Sequence, residues 1–206
     1  MRLGIFGGSF DPIHFGHLLL AEYCREQAEL DEVWFLPAAV PPHKQDYSLT
    51  ADKHRVEMLR LAIGGHEQFV VSTLEIDRGG VNYTYQTLEQ LHNDQPEDEL
   101  FFLMGADSLK DLPSWREPQR ICELAIPVVV NRPGSPPIQF DALRDLVSPE
   151  RLHQIRQHVV EMPLIGISST DIRARVQRNH SIRYQTPAAV VKYIETHGLY
   201  AGAPSE

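Results

Sequence analysis

The sequence contains little cysteine, with only Cys24 and Cys122 among its 206 residues. Both lie in apolar, helical-looking contexts, and two are too few for the disulfide framework that small secreted proteins use. No apolar run approaches the ~18 residues that a membrane-spanning helix requires. The N-terminal segment MRLGIFGGSF has too short an apolar stretch for a signal peptide and no small-residue cleavage site. We therefore expect a cytoplasmic protein with no membrane partner.

An excess of basic residues is also missing. The 19 lysines and arginines are outnumbered by 28 aspartates and glutamates, which gives a formal net charge of -9. Proteins that bind duplex nucleic acid normally carry a basic patch, so a nucleic-acid partner is not expected. A small anionic ligand remains compatible with this charge, because a phosphate site needs only a few donors while the remaining surface stays acidic.

Internal repeats, low-complexity tracts and linkers are absent from the sequence as well. The composition, with 42% hydrophobic and 23% charged residues, is typical of a globular protein. A chain of this length suits one domain with a single core. We expect one domain over residues 1–200, followed by a short C-terminal tail at 201–206. Whether the chain forms a homo-oligomer is left open.

Short apolar runs alternate with helical patterns along the chain. The predicted strands are 3–6, 33–36, 69–72, 100–104, 128–130 and 163–167. The predicted helices are 15–28, 51–63 with Thr50 as N-cap, 84–92, 118–125, 149–160, one beginning within 168–173, and one from Pro187 to Gly198. Continuous apolar strands between helices indicate a parallel sheet covered on both faces. The fold class is therefore α/β: a doubly wound, Rossmann-like domain with strand order 3-2-1-4-5-6 and ligands at the carboxyl ends of the strands.

The first loop, GGSFDPIHFGH at 7–17, leaves the first strand and enters the first helix. Gly7 and Gly8 allow a sharp turn and a close approach to a ligand, and free N–H groups at the helix start favour an anion. His14 and His17 are three residues apart, so they share one side of the helix start. The loop matches neither GxGxxG nor a P-loop. Isolated histidines are usually solvated, and a metal pair would need a third ligand that the spacing does not reveal.

A second polar segment, ISSTDIR at 167–173, also follows an apolar run and opens a helix. Ser168, Ser169 and Thr170 are residues that cap helices, and Asp171 suits the helix dipole, so a purely structural interpretation is available. Capping does not explain Arg173, which lies one turn into the helix. Together with the hydroxyls and the first N–H groups, it predicts a second anion site.

These two segments resemble the H-x-G-H and ISSTxIR signatures of the nucleotidylyltransferase superfamily, which is distantly related to class I aminoacyl-tRNA synthetases. The resemblance implies a nucleotidylyltransferase fold in which His14 and His17 bind and polarise the phosphates of a nucleoside triphosphate. It implies that the ISSTDIR segment grips the β- and γ-phosphates of ATP. The catalytic residues would then be His14, His17 and Arg173, with Mg²⁺ held mainly by the ATP phosphates and no dedicated protein ligands for the metal.

Four further segments narrow the resemblance to bacterial nicotinate mononucleotide adenylyltransferases: PPHK (41–44), NYTYQTL (82–88), GADSLKDLPSW (105–115) and NRPG (131–134). The likeness covers about residues 1 to 200 and is weakest at 135–160. This family joins ATP and nicotinate mononucleotide, giving nicotinate adenine dinucleotide and pyrophosphate for NAD biosynthesis. The chain departs from the family at Gln86, where many members have an acidic residue.

The resemblance also implies which residues bind each substrate. For ATP they are Gly7, Gly8, Ser9, Phe10, His14, His17, Gly105, Asp107, Arg132, Ser168, Ser169, Thr170 and Arg173. For the mononucleotide they are Lys44, Thr84, Asp111 and Trp115, with main-chain N–H groups at Thr84 and near Asp111 holding the nicotinate carboxylate. Three of these residues have plain alternatives: Asp107 suits a helix cap, Trp115 a core position and Lys44 a solvated loop.

Rival functions remain open from the sequence. The nearest are adenylyltransferases for pantetheine phosphate or for nicotinamide mononucleotide, and the first usually lacks the segments at 82–88 and 105–115. A non-catalytic nucleotide sensor is the rival from another class. It has little reason to retain His14, His17 and Arg173 together.

Overall fold

The computed structural model describes residues 1–39, 49–131, 134 and 137–202. Their strands form one six-stranded sheet in the order β3-β2-β1-β4-β5-β6, in which every neighbouring pair is parallel. The strands are β1 Arg2–Gly8, β2 Glu32–Pro37, β3 Phe69–Val71, β4 Glu99–Gly105, β5 Ala125–Asn131 and β6 Val159–Glu161. The predicted α/β class and strand order are confirmed.

Helices connect the strands on both faces of the sheet. They are α1 Phe15–Gln27, α2 Asp52–Ile63, α3 Leu74–Arg78, α4 Thr84–Asp94, α5 Ala106–Asp111, α6 Pro118–Leu124, α7 Pro149–Gln157, α8 Ser169–Gln177 and α9 Ala188–Thr196. Short 3₁₀ turns occupy Leu112–Ser114 and Phe140–Leu143. In the described ranges, no helix has the length and apolar character that crossing a membrane demands.

The central strands are apolar on both faces because helices cover both sides of the sheet. Every residue from Leu100 to Met104 in β4 is buried, as is every residue from Ala125 to Val130 in β5. The two cysteines lie in the same core, and burial raises the pKa of Cys24 to about 12 and that of Cys122 to about 11. These thiols are therefore protonated, inert core side chains.

The prediction of the sixth strand was wrong in position. Helix α7 ends at Gln157, and the edge strand forms at once from Val159 to Glu161, with Val160 opposite Val130 of β5. The predicted segment, 163–167, has no regular structure. Proline at its first position cannot donate a ladder hydrogen bond, and Leu164 is 68% exposed.

The start of the second helix and the end of the last helix differ in how well the local sequence predicted them. The predicted N-cap at Thr50 was wrong: α2 begins at Asp52 behind Ala51, with no side-chain cap. Thr50 instead donates its N–H to the Asp11 carboxylate at 3.2 Å. At the far end of the chain, Gly198 follows α9 with a φ of 57°, as expected for a glycine that closes a helix.

Candidate active site

Two adjoining cavities open at the carboxyl end of β1. This strand lies between β2 and β4 in the sheet, and the order in which the chain adds strands reverses there. Open α/β sheets bind ligands at such a switch point. One cavity, of about 310 Å³, includes the two histidines of the first loop and is called here the histidine cleft. The other, of about 420 Å³, includes Trp115 and Thr84 and is called the tryptophan cavity. Ser9 lines both, so a single ligand or two reacting ligands could span them.

The histidine cleft brings the two polar segments of the sequence together. Its walls are Ser9, His14, Gly16 and His17 from the first loop and helix start, and Ile167, Ser168, Ser169, Thr170 and Arg173 from the second segment, with Leu20, Leu49, Met162 and Ile165 beside them. The rings of His14 and His17 stack with centroids 3.6 Å apart. Two imidazoles, several hydroxyls and a guanidinium on one small surface are groups whose chemistry suits a highly charged anion.

The start of α1 explains the histidine pair. His14 occupies the N-cap position with extended backbone, and its carbonyl accepts the His17 N–H at 2.9 Å, so one helical turn aligns the rings. A Cβ at Gly16 would lie 3.0 Å from His14 Nδ1 and 3.1 Å from its Cε1. The glycine therefore makes room for the His14 ring.

The second segment is docked directly onto the first loop. Ser169 donates its hydroxyl to the Pro12 carbonyl at 2.8 Å, and Arg173 donates from Nη1 to the Asp11 carbonyl at 2.6 Å. Ser168 is a true N-cap, because its Oγ accepts the Asp171 N–H at 3.1 Å. The capping interpretation is therefore confirmed for Ser168. Arg173 lines the cleft, which is compatible with the predicted anion site.

A buried arginine that the sequence analysis missed holds the same loop from behind. Arg55 of α2 has no exposed surface and donates to three carbonyls, those of Ser9 at 2.9 Å, Ala38 at 2.7 Å and Thr50 at 3.0 Å. Its guanidinium also pairs with Asp52. Because a buried charge is stable only when fully paired, this network fixes the loops around Ser9 and Ala38.

Replacing this arginine should cost stability. We expect Arg55→Met to lower the free energy of unfolding by about 2–4 kcal/mol, since a buried carbonyl left unpaired costs ~1–3 kcal/mol. Urea unfolding measures the change. The matched control is Arg60→Met in the same helix, where the side chain is 59% exposed and its ion pair spans 3.9 Å. That change should stay within about 0.5 kcal/mol; equal losses in both variants would contradict the assignment.

The tryptophan cavity is lined by the end of β1 and by residues from α3 to α6. Trp115 follows the 3₁₀ turn Leu112–Ser114, is half-buried and meets Phe102 edge to face with centroids 6.1 Å apart. It therefore packs against the core and also lines the cavity. The core and binding interpretations of this residue are compatible.

The N-terminus of α4 opens into the tryptophan cavity, since Tyr83, Thr84 and Thr87 all line it. The first N–H groups of a helix have no carbonyl partner within that helix, which favours an anion nearby. Gln86, the departure from the family pattern, accepts the Tyr83 N–H through Oε1 at 3.4 Å. Gln86 thus accepts the hydrogen bond that an acidic residue would accept at this position, and it adds no negative charge there.

A hydrogen-bond network beneath this helix start was not predicted either. Thr87 donates to the Glu75 carboxyl at 2.9 Å, and Arg78 donates to Thr87 at 3.1 Å and to Asn82 at 2.9 Å. Asn82 in turn donates to the carbonyls of Glu75, Gly79 and Gly80. Burial raises the pKa of Glu75. The network ties α3 to α4 and so sets where the α4 N-terminus points.

The structure gathers most of the predicted site residues into these two cavities. Gly7, Gly8, Ser9, Thr84 and Trp115 line the tryptophan cavity, and Ser9, His14, His17, Ser168, Ser169, Thr170 and Arg173 line the histidine cleft. Lys44 and Arg132 lie outside the described residues.

Four predicted residues line neither cavity. Phe10 is 1% exposed and packs edge-on against Phe6, with Gly8 too close to its ring to carry a Cβ, so its side chain belongs to the core. Gly105 is the N-cap of α5, and no side chain caps that helix. Asp107 lies exposed in the first turn, so its interpretation as a helix cap was wrong. Asp111 ends α5 exposed, and its carbonyl accepts the Ser114 hydroxyl at 2.7 Å.

Comparison with known sequences places this arrangement among related proteins. The sequence profile of the cytidylyltransferase-like family matches residues 5–175. A probable nicotinate-nucleotide adenylyltransferase of Thermomicrobium roseum is 47% identical over 199 residues, 97% of this chain and 91% of the relative. The corresponding protein of Roseiflexus sp. is 49% identical over 200 residues, 96% of this chain and 97% of the relative. That of Thermus thermophilus is 45% identical over 202 residues, covering 97% and 100%.

Solved structures share the fold at lower identity. Plasmodium falciparum nicotinic acid mononucleotide adenylyltransferase, complexed with NaAD, superposes with a TM-score of 0.75 at 21% identity and covers 97% of both chains. A second structure of that protein, complexed with APC, gives a TM-score of 0.74 at 20% identity and covers 97% of this chain and 96% of that one. The likeness extends over nearly the whole chain, so the sheet order and its connections are shared.

Proposed function

The chain belongs to the cytidylyltransferase-like family and, within it, to the nicotinate-nucleotide adenylyltransferases, and we propose that its two cavities join ATP to nicotinate mononucleotide. The products are nicotinate adenine dinucleotide and pyrophosphate, in NAD biosynthesis. One observation carries the assignment to this site. The two anion-binding segments, far apart in sequence, meet in one cleft beside a second cavity that shares Ser9 with it.

The reaction requires no covalent intermediate with the protein. The 5′-phosphate of the mononucleotide attacks the α-phosphorus of ATP, and pyrophosphate leaves in line. Catalysis then depends on positioning and on neutralising the charge that develops on the phosphates. We assign the ATP triphosphate to the histidine cleft and the mononucleotide to the tryptophan cavity, so that the attacking and leaving groups meet near Ser9.

His14, His17 and Arg173 are the groups assigned to the phosphates. The Arg173 guanidinium is already held by the Asp11 carbonyl at 2.6 Å, so part of its orientation is set before ATP binds. Donors fixed in advance lower a barrier more than mobile ones, because they need not reorganise during the reaction. Helix α8 begins at Ser169, and the N–H groups of its first turn favour an anion, here the β- and γ-phosphates.

Mg²⁺ is the cofactor we propose, carried by the triphosphate. In the described parts of the chain, no three His, Cys, Asp or Glu side chains are grouped so that they could hold a metal. The carboxylate within the first loop, that of Asp11, accepts hydrogen bonds from Thr50 and Tyr200. Mg²⁺ commonly keeps several waters and binds through substrate phosphates, so this donor set fits an ion bound mainly by ATP. Its charge would help to neutralise the phosphates.

The nicotinate mononucleotide is assigned to the tryptophan cavity because of the shape and the hydrogen-bond donors of its lining. Trp115 presents a flat wall for the pyridine ring, and stacking on an aromatic face is worth ~1–3 kcal/mol per base. The N-terminus of α4 at Thr84 supplies N–H donors for the nicotinate carboxylate. The assignments of Lys44 to the substrate phosphate, of the backbone near Asp111 to the nicotinate carboxylate, and of Asp107 and Arg132 to ATP remain predictions from the family resemblance. A cytoplasmic location remains a prediction from the composition.

Pyrophosphate release tests the function directly. The purified protein is incubated with ATP and Mg²⁺ and with one of three acceptors: nicotinate mononucleotide, nicotinamide mononucleotide or pantetheine phosphate. We expect one pyrophosphate and one nicotinate adenine dinucleotide per turnover, with the nicotinate form as the best acceptor. Release that is fastest with pantetheine phosphate would contradict the assignment. Tight ATP binding without turnover on any acceptor would indicate a sensor.

A further inference from the structure

The end of the described chain reaches back to the loop that carries the histidines. Tyr200 donates its hydroxyl to Asp11 Oδ1 at 2.5 Å, across 189 residues of sequence. Asp11 is 1% exposed, and its other carboxylate oxygen accepts the Thr50 N–H at 3.2 Å. Each oxygen of this buried carboxylate is thus held by a different segment. Such a carboxylate is stable only while its partners remain in place.

The backbone of the same residue orients the cleft. The Asp11 carbonyl accepts from Arg173 Nη1 at 2.6 Å, and the next carbonyl, that of Pro12, accepts the Ser169 hydroxyl at 2.8 Å. Two residues further on, His14 begins the histidine pair. The side chain of Asp11 is therefore bound to Tyr200, while its carbonyl binds Arg173 and the carbonyl of the next residue binds Ser169. A shift of this residue would displace both.

The chain turns sharply to deliver this hydroxyl. Helix α9 ends at Thr196, and Gly198 and Tyr200 follow with φ values of 57° and 62°. Positive φ is unfavourable for a side chain as large as tyrosine, so the surrounding contacts must hold it there. Burial and the neighbouring Asp11 carboxylate hold the pKa of Tyr200 far above its ordinary value. The hydroxyl therefore remains a proton donor at any pH at which the enzyme works.

We infer that Tyr200 is a positioning residue for ATP: its hydroxyl fixes Asp11, and through the Asp11 backbone it holds Arg173 where the triphosphate binds. This inference rests on the proposed function, because it takes Arg173 to be a phosphate ligand. A stabilising contact alone would affect both substrates alike. Positioning through Arg173 affects ATP and leaves the tryptophan cavity unchanged.

The test compares Tyr200→Phe with Tyr184→Phe. Both remove one hydroxyl, and Tyr184 is 89% exposed. We expect Tyr200→Phe to lower kcat/KM for ATP by about 10-fold, the lower end for losing a hydrogen bond to a charged group. The KM for nicotinate mononucleotide should change less than about twofold, and Tyr184→Phe should match the wild type. An equal loss for both substrates, or no loss, would overturn the inference.

A second measurement separates positioning from a general loss of structure. Titration calorimetry with pyrophosphate alone reports the histidine cleft directly. Tyr200→Phe should weaken pyrophosphate in the wild-type background and have little further effect in an Arg173→Met background, because the two residues act in series. Additive effects would overturn the inference. If Tyr200→Phe folds poorly, Asp11→Asn in the same titration removes the charge from the other side of the contact and should also weaken pyrophosphate.

These outcomes distinguish the inference from the proposed function. If the wild type does not turn over ATP with any mononucleotide, the proposed function fails. If the wild type is active and Tyr200→Phe equals it in both kinetics and pyrophosphate binding, only the positioning role fails.

Discussion

His17→Ala is expected to lower kcat by about 10²–10³-fold, the scale for removing one preorganised donor that stabilises developing charge. The structure gives this expectation a geometric basis. His17 lines the histidine cleft with its ring stacked on His14 at 3.6 Å and meets Phe10 edge-on with centroids 5.1 Å apart. A ring held on two sides acts as a fixed donor. The loss should fall on kcat more than on the KM for ATP, as for an interaction strengthened in the transition state.

Steady-state kinetics on the folded variant measures this effect. The control is His153→Ala, which changes an exposed histidine of α7 that lines neither cavity and should keep wild-type rates. If His17→Ala retained more than about half of wild-type turnover, the role assigned to the ring would be wrong. Circular dichroism on both variants checks that a lower rate is not caused by unfolding.

Nicotinate mononucleotide is expected to be preferred over nicotinamide mononucleotide by about 10²-fold in kcat/KM. The two substrates differ only in carboxylate against carboxamide. N–H donors at the start of α4 match two acceptor oxygens, whereas an amide NH₂ would meet a donor with a donor. Each polar group left unpaired in a buried site costs ~1–3 kcal/mol, so two mismatches account for the expected ratio.

Trp115→Ala separates ring stacking from this discrimination. Both pyridine rings stack alike, so the variant should weaken both substrates while the ratio of their kcat/KM values changes little. The measurement is kcat/KM for each mononucleotide at saturating ATP, in the wild type and in the variant. Equal kcat/KM values for the two mononucleotides in the wild type, or a higher value for the amide, would contradict the preference for nicotinate mononucleotide.

The position of Thr84 supports this preference more strongly than that of Asp111. Thr84 lines the tryptophan cavity, whereas Asp111 does not. The Trp115 N–H beyond it is already bound to the Leu112 carbonyl at 3.0 Å. Main-chain recognition of the carboxylate is therefore best supported at α4, and the role of the backbone near Asp111 remains a prediction from the resemblance.

Several buried groups could not be predicted from local sequence. Arg55 looks like a solvent-facing residue of an amphipathic helix, yet it is fully buried and bound to three carbonyls. The edge strand β6 is three residues long, too short to be told from a helix end by its pattern, and it forms because Val159 and Val160 find β5 beside them. In each case partners distant in the chain are involved: Ser9 and Ala38 for Arg55, and β5 for β6.

The sequence by itself determined the α/β class, the alternation of the first five strands with helices, and the two polar segments that line the histidine cleft. Each of these depends on signals within a few residues: continuous apolar runs, glycines after a strand, and capping residues before a helix. Only the tertiary structure decided that Ser169 and Arg173 bind the first loop, that Gly16 makes room for His14, and that Tyr200 holds Asp11. Those contacts join residues up to 189 positions apart, and a buried hydrogen bond leaves no trace in the local pattern of either partner.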